Sequence, residues 1–197
     1  TMAMGHNGNL VNASEIRQEL GTAGAIFQST NDSEVIVHLM AQSRRNSFVD
    51  RAVAALSQVK GAYSIVLMSE DELIAARDPQ GFRPLCLGKL DGAYIVSSES
   101  CVMDLVEAEF IREIEPGELI LINQFGVKSF YPFQKTPTKQ CVFEHIYFSR
   151  PDSYLFGHSV YSTRKLMGKA LAREKPVEAD VVVPVPDSGV ISAMGYS

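Results

Sequence analysis

The hydrophobic pattern changes period at Gly61, and that change narrows the folds open to this chain. Before it, apolar residues recur at helical spacing. Ile16 and Leu20 lie one turn apart behind a capping-box pair, Asn12 and Glu15. Ile36, Leu39 and Met40 form the stripe of a second helix that Asp32 or Ser33 can cap. Val49, Val53, Leu56 and Val59 follow from about Phe48. Short strands are expected at Met2–Met4 and Ala25–Phe27. After Gly61 the period is two. Tyr63–Met68 and Leu73–Ala76 read as strands, and Asp91-Gly92 marks a hairpin between Leu85–Gly88 and Ala93–Val96. A short helix over Val102–Leu105 precedes a second expected hairpin, Phe110–Ile114 with Leu119–Asn123, turning at Pro116-Gly117. A last strand lies near Val127–Tyr131, and residues 132–140 read as a linker. Beyond it come an apolar-aromatic stretch (Val142–Phe148), a helix over Val160–Arg173, a buried parallel strand at Val181–Val185 and an opening helix from Val190. Helices segregated from a run of strands indicate an α+β fold, and the final strand–loop–helix reads as the start of an α/β domain.

Composition excludes several classes. The 197 residues are 46% hydrophobic and 21% charged, as in ordinary globular proteins. The net charge is -5, and no Lys/Arg run exceeds two residues, so a nucleic-acid groove is not expected. The longest apolar runs, such as Leu119–Ile122, are too short to span a bilayer. Three scattered cysteines (Cys86, Cys101 and Cys141) suit a reducing cytoplasm better than a disulfide framework.

Five segments could carry chemistry, each with a plainer alternative. Asn7-Gly8 reads as a loop after a strand. It is either a turn, or a side-chain amide and an accessible backbone N–H that together stabilise an oxyanion. Asp32 is either a helix cap or a carboxylate for a substrate ammonium. Arg77–Leu85 reads as a solvated loop with an internal ion pair. Cys141 is a metal ligand or a small hydrophobe. Pro186–Gly189 is a plain turn or a phosphate-facing loop.

In this order the segments resemble one family closely, the glutamine phosphoribosylpyrophosphate amidotransferases. The resemblance rests on His6–Asn12, Asn31–Glu34, Gly61–Tyr63, Arg77–Leu85, Ser97–Ser100, Glu115–Glu118, Cys141–Ser153 and Val181–Gly195. It implies a glutaminase domain over residues 1–140, an incomplete N-terminal-nucleophile αββα sandwich. Residues 141–197 would then be connecting helices and the start of a phosphoribosyltransferase domain. It also implies the reaction: glutamine gives up ammonia, which displaces pyrophosphate from phosphoribosylpyrophosphate to form 5-phosphoribosylamine in purine synthesis. Asn7 and Gly8 would be the oxyanion hole, and Asp32 would hold the glutamine ammonium. Cys141 aligns with an iron–sulfur ligand of some members, and magnesium belongs to the full-length enzyme. A cytoplasmic homo-oligomer is implied. Other type 2 glutamine amidotransferases, and a non-catalytic amino-acid or nucleotide binding protein keeping the sandwich, are the alternatives.

The family's opening cysteine would lie upstream of Thr1, and its acidic phosphoribosylpyrophosphate signature beyond Ser197. The chain is therefore read as a piece of a longer enzyme. Thr1 is no substitute nucleophile, because it sits on the strand leading into Asn7. The family's magnesium position falls at or next to Gly189, which has no side chain to offer. The purified chain is expected to release no ammonia from glutamine. Turnover above background that disappears when Thr1 is changed would reverse this expectation.

Overall fold

A computed structural model describes all residues, 1–197. The chain divides into two compact units: residues 1–85 with 114–140, and residues 86–113 with 141–197. No helix is long and apolar enough to cross a membrane.

The first unit is a five-stranded antiparallel sheet in the order β1-β2-β3-β7-β8 with three helices. Its strands are β1 (Ala3–Leu10), β2 (Gly61–Met68), β3 (Leu73–Arg77), β7 (Leu119–Asn123) and β8 (Gly126–Phe130). The helices are α1 (Ala13–Thr22), α2 (Glu34–Gln42) and α3 (Phe48–Leu56). Of the helical stripes read from sequence, Ile16, Leu20, Ile36, Met40 and Leu56 are buried, whereas Leu39, Val49 and Val53 are only half-buried and Val35, Ala52 and Ala55 take core positions beside them. They share a core with Leu10, Ile65, Leu67, Ile74 and Leu119 of the sheet. Each such side chain withdrawn from water contributes about 1.5–3 kcal/mol. Ser47 caps α3 by accepting from the Asp50 N–H at 3.0 Å.

Helix starts differ from expectation elsewhere. Asn12 forms no capping box. Its side chain instead accepts from the Lys60 N–H at 2.7 Å and donates to Gln58 O at 2.9 Å, tying α1 to the approach to β2. Neither Asp32 nor Ser33 caps α2 with its side chain. Ala25–Phe27 is not a strand.

The second unit holds the antiparallel sheet β5-β4-β6, made of β4 (Cys86–Leu90), β5 (Ala93–Ser97) and β6 (Glu109–Glu113). Asp91 (φ 49°) and Gly92 (φ 88°) form the expected tight turn between β4 and β5. The helix α4 (Cys101–Leu105), a π-helical turn (Glu144–Phe148) and the two-residue strands β9 (Tyr154–Leu155) and β10 (His158–Ser159) follow. Helices α5 (Val160–Glu174) and α6 (Gly189–Tyr196) complete the unit.

Two expectations are corrected here. The strands on either side of Pro116-Gly117 are not a hairpin: β6 pairs with β4, and β7 pairs with β3 and β8. Val181–Val185 is neither a strand nor buried, with Val183 81% and Val185 80% exposed. A parallel strand needs a parallel neighbour, and every pairing in this chain is antiparallel. Pro184 and Pro186 also remove two ladder donors.

Helices α5 and α6 cross closely because Gly168 and Gly195 lie at the contact. A Cβ on Gly168 would strike Ser192 O, and one on Gly195 would strike Lys165 O. Gly168→Ala should therefore destabilise the second unit by roughly 1–3 kcal/mol. Gly21→Ala, inside α1 with nothing within 4 Å of the added methyl, should stabilise the first unit by about 0.5–1 kcal/mol. Denaturant midpoints of the two variants check both signs.

Candidate active site

Three of the four sequence-predicted site residues, Asn7, Gly8 and Asp32, lie in the first unit; Cys141 belongs to the second. Asn7-Gly8 is not a loop. It lies inside β1, with Asn7 opposite Ser64 and Gly8 opposite Tyr63 on β2. The ladder partners of β2 extend the strand through Leu10, well past the apolar residues that signalled it.

Within these residues β1 has β2 on one side and no strand on the other. Backbone N–H groups alternate between the two sides of a strand. The Val11 N–H turns inward to Lys60 O at 2.8 Å, whereas the Leu10 N–H turns outward and donates to Asp32 Oδ2 at 2.7 Å. By the same alternation the Gly8 N–H also faces the open edge. Side chains alternate between faces: Met4, His6 and Leu10 turn to the core side, and Asn7 and Asn9 to the other. Gly8 must be glycine for a packing reason, since a Cβ there would strike Ala62 O and the His6 ring.

Asp32 reaches this edge from the loop before α2, and that loop is held from several sides. Arg17 of α1 donates to Ser29 O at 2.8 Å and Asn31 O at 2.7 Å. The Asn31 side chain accepts from the Ser33 N–H and hydroxyl at 3.1 and 2.7 Å. Glu34 accepts from the N–H groups of Gln28 (2.7 Å) and Ser29 (2.9 Å) and from the Ser29 hydroxyl (2.7 Å). These donors, the Gln28 N–H foremost and the Ser29 hydroxyl next, hold the Glu34 carboxyl at about 2, with Arg17 adding a smaller attraction. Asp32 is thereby left with its backbone in the loop and its carboxylate against β1. His6 lies beneath it, with Nδ1 3.6 Å from Asp32 Oδ1.

Arg77–Leu85 is not a solvated loop. Arg77 and Asp78 are both fully buried. The guanidinium donates to Arg83 O (2.8 Å), Ile114 O (2.7 Å) and Gly81 O (3.1 Å). The Asp78 carboxylate accepts from the N–H groups of Tyr63, Gln80 and Phe82. Burial raises the Asp78 carboxyl above the ordinary range, against those three donors. A cavity of about 300 Å³ opens beside this node, lined among others by Lys60, Gly61, Tyr63, Asp78 and Phe133. It adjoins the β2 residues that pair with β1.

Cys141 is partly exposed, and its carbonyl accepts from the Glu144 N–H. No group of three or more His, Cys, Asp or Glu residues in the chain could hold a metal ion. Cys86 and Cys101 are buried, and burial pushes the Cys86 thiol up to about 12. Within these residues Cys141 has no set of further ligands beside it, and Gly189 offers no side chain to magnesium.

The chain has relatives among known proteins. The profile of the glutamine amidotransferase domain matches residues 1–104. The chain belongs to the glutamine amidotransferase family. Across its whole length it is 48% identical to amidophosphoribosyltransferase 1 (chloroplastic) of Arabidopsis thaliana and 47% identical to amidophosphoribosyltransferase of Bacillus subtilis. It spans 35% and 41% of those two proteins. The solved glutamine phosphoribosylpyrophosphate amidotransferase of B. subtilis, in complex with ADP and GMP, superposes with a TM-score of 0.95 at 48% identity. That match covers 99% of this chain and 43% of that one. A glutamine aminotransferase class-II domain protein from Silicibacter pomeroyi shares the fold over 68% of the chain, at 15% identity and a TM-score of 0.51. The α+β class expected for this amidotransferase domain is the class observed.

Sequence reading missed His6, Arg17 and Glu34 as parts of this edge. The signal was available for His6 alone. Extending β1 to Leu10 puts His6 on the same face as Gly8.

The Glu34 cluster generates a pH signature. A carboxyl lowered from 4.5 to about 2 in the folded state stabilises the fold fully above about 4.5. That stability is lost as pH falls toward 2. Glu34→Gln should lower stability at neutral pH and flatten the decline between pH 4.5 and 2. Urea unfolding across that range measures it, and a slope identical to that of the parent chain would count against the loop-holding role.

Proposed function

We propose that the enzyme carrying this chain is an amidophosphoribosyltransferase, and that these residues supply part of its glutamine site. Glutamine, phosphoribosylpyrophosphate and water are then consumed, and glutamate, pyrophosphate and 5-phosphoribosylamine are formed. The observation that carries this reading is the match to two amidophosphoribosyltransferases along the full chain. It runs through the segments beyond residue 104, where the glutamine amidotransferase domain match ends. Three cysteines free of disulfides support a reducing compartment such as the cytoplasm.

In this reading glutamine binds along the open edge of β1. Its side-chain carbonyl lies against the Gly8 N–H and the Asn7 amide, which stabilise the negative charge that forms when the carbonyl is attacked. Its ammonium meets Asp32, a carboxylate already aimed at that edge through the Leu10 N–H. Backbone donors on an edge strand suit this work, because the ladder fixes their direction before substrate arrives.

In the full enzyme, Asn7→Ala should lower kcat with glutamine by roughly 10²–10³-fold, with little change in KM and ammonia-dependent synthesis retained. Asp32→Asn should chiefly raise KM for glutamine, since its contact is made in ground and transition states alike. Steady-state kinetics with glutamine and with ammonia distinguish these outcomes. Equal loss of both activities on Asn7→Ala would assign Asn7 a structural role. An unchanged glutamine KM on Asp32→Asn would remove Asp32 from the site.

A further inference from the structure

The His6 ring lies between the two parts of the proposed glutamine site. Its side chain is only 5% exposed. One ring nitrogen, Nε2, faces Ala62 O at 3.4 Å. The other, Nδ1, faces Asp32 Oδ1 at 3.6 Å. The ring also fills the space under Gly8 that a side chain there would need. A single imidazole thus touches the strand position of the proposed oxyanion donor and the carboxylate proposed to hold the substrate ammonium.

Asp32 has two neighbours here, one a hydrogen-bond donor at 2.7 Å and the other an imidazole nitrogen at 3.6 Å. The Leu10 N–H takes Oδ2 in line with the strand edge. His6 stands beside Oδ1, and a carboxylate with only one oxygen held is free to turn about its last torsion. We propose that His6 is a positioning residue. It fixes the plane of the Asp32 carboxylate relative to the Gly8 N–H, and so sets the span between the ammonium and oxyanion contacts that glutamine must bridge. His6 neither touches substrate nor transfers a proton in this account. The proposal rests on the reading of Asp32 given above.

The test uses isosteres that separate the two ring contacts. The amide nitrogen of Asn can stand near the place of Nδ1, and that of Gln near the place of Nε2. In the full enzyme, His6→Phe keeps the ring volume and removes both nitrogens. It should raise KM for glutamine about three- to tenfold, with a smaller change in kcat and an unchanged ammonia-dependent rate. His6→Asn should restore most of the KM, and His6→Gln should not. In the Asp32→Asn background, His6→Phe should have almost no further effect on KM, because both act through one carboxylate.

Several results would overturn the proposal. They are rescue by His6→Gln rather than His6→Asn, KM effects that add independently with Asp32→Asn, or parallel loss of glutamine- and ammonia-dependent rates. If Asp32→Asn raises KM and His6→Phe does not, the His6 role alone is wrong. If Asp32→Asn itself leaves KM unchanged, the underlying assignment of Asp32 is wrong. Should His6→Phe fold poorly, His6→Asn and His6→Gln still rank against each other and decide the matter.

Discussion

The first unit depends on a buried cation. Arg77 ends β3 with its guanidinium out of water, donating hydrogen bonds to three backbone carbonyls. Two belong to the tight loop that follows it. The third, Ile114 O, belongs to the point where the chain re-enters the unit after the excursion of residues 86–113. There the Ile114 N–H also bonds Leu85 O at 2.8 Å, closing a neck. Removing the guanidinium would take its donors from Ile114 O and Gly81 O and leave Arg83 O with the Ser64 hydroxyl, a larger penalty than losing an exposed ion pair. Asp78 does the complementary task with the N–H groups of the same loop, and its own carbonyl accepts from Gly81 and Gly117. Together these adjacent charges replace water for most of a loop that would otherwise have to remain at the surface.

The site depends on that rigidity through β2. Tyr63 is bonded to Asp78 through both backbone groups, and it is the residue opposite Gly8. The direction of the Gly8 N–H is thus set by a ladder whose far side is tied to a buried node. Across the edge, the loop bearing Asp32 is held by Arg17 and Glu34. The two halves of the proposed glutamine contact are therefore fixed by different elements and meet only at β1.

Much of this fold could be read in the sequence where periodicity and turn chemistry act locally. The stripes of α1, α2 and α3 and the Asp91-Gly92 turn depend on neighbours a few residues away. The failures share a cause, which is partners distant in sequence. Asn12 reads as a cap until Lys60 and Gln58 claim its side chain. Arg77 and Asp78 read as solvated until Ile114 and Tyr63 are brought to them. Val181–Val185 has every local mark of a buried strand, but burial requires a partner strand that local marks do not reveal. As candidates for the site, Asn7, Gly8 and Asp32 rest on family resemblance. Residue types alone left each with a bland alternative, and their meeting at one strand edge is a tertiary fact.

The contact between Asp32 and the Leu10 N–H also bears on how this side of β1 would meet another strand. An edge strand offers a row of unpaired donors and acceptors on which another chain can grow. A carboxylate seated on one of those donors, with its charge facing along the edge, repels the carbonyls of an incoming strand at the end of β1 nearest the site. The same oxygen that occupies the Leu10 N–H thus disfavours the pairing of a foreign strand at that end of β1.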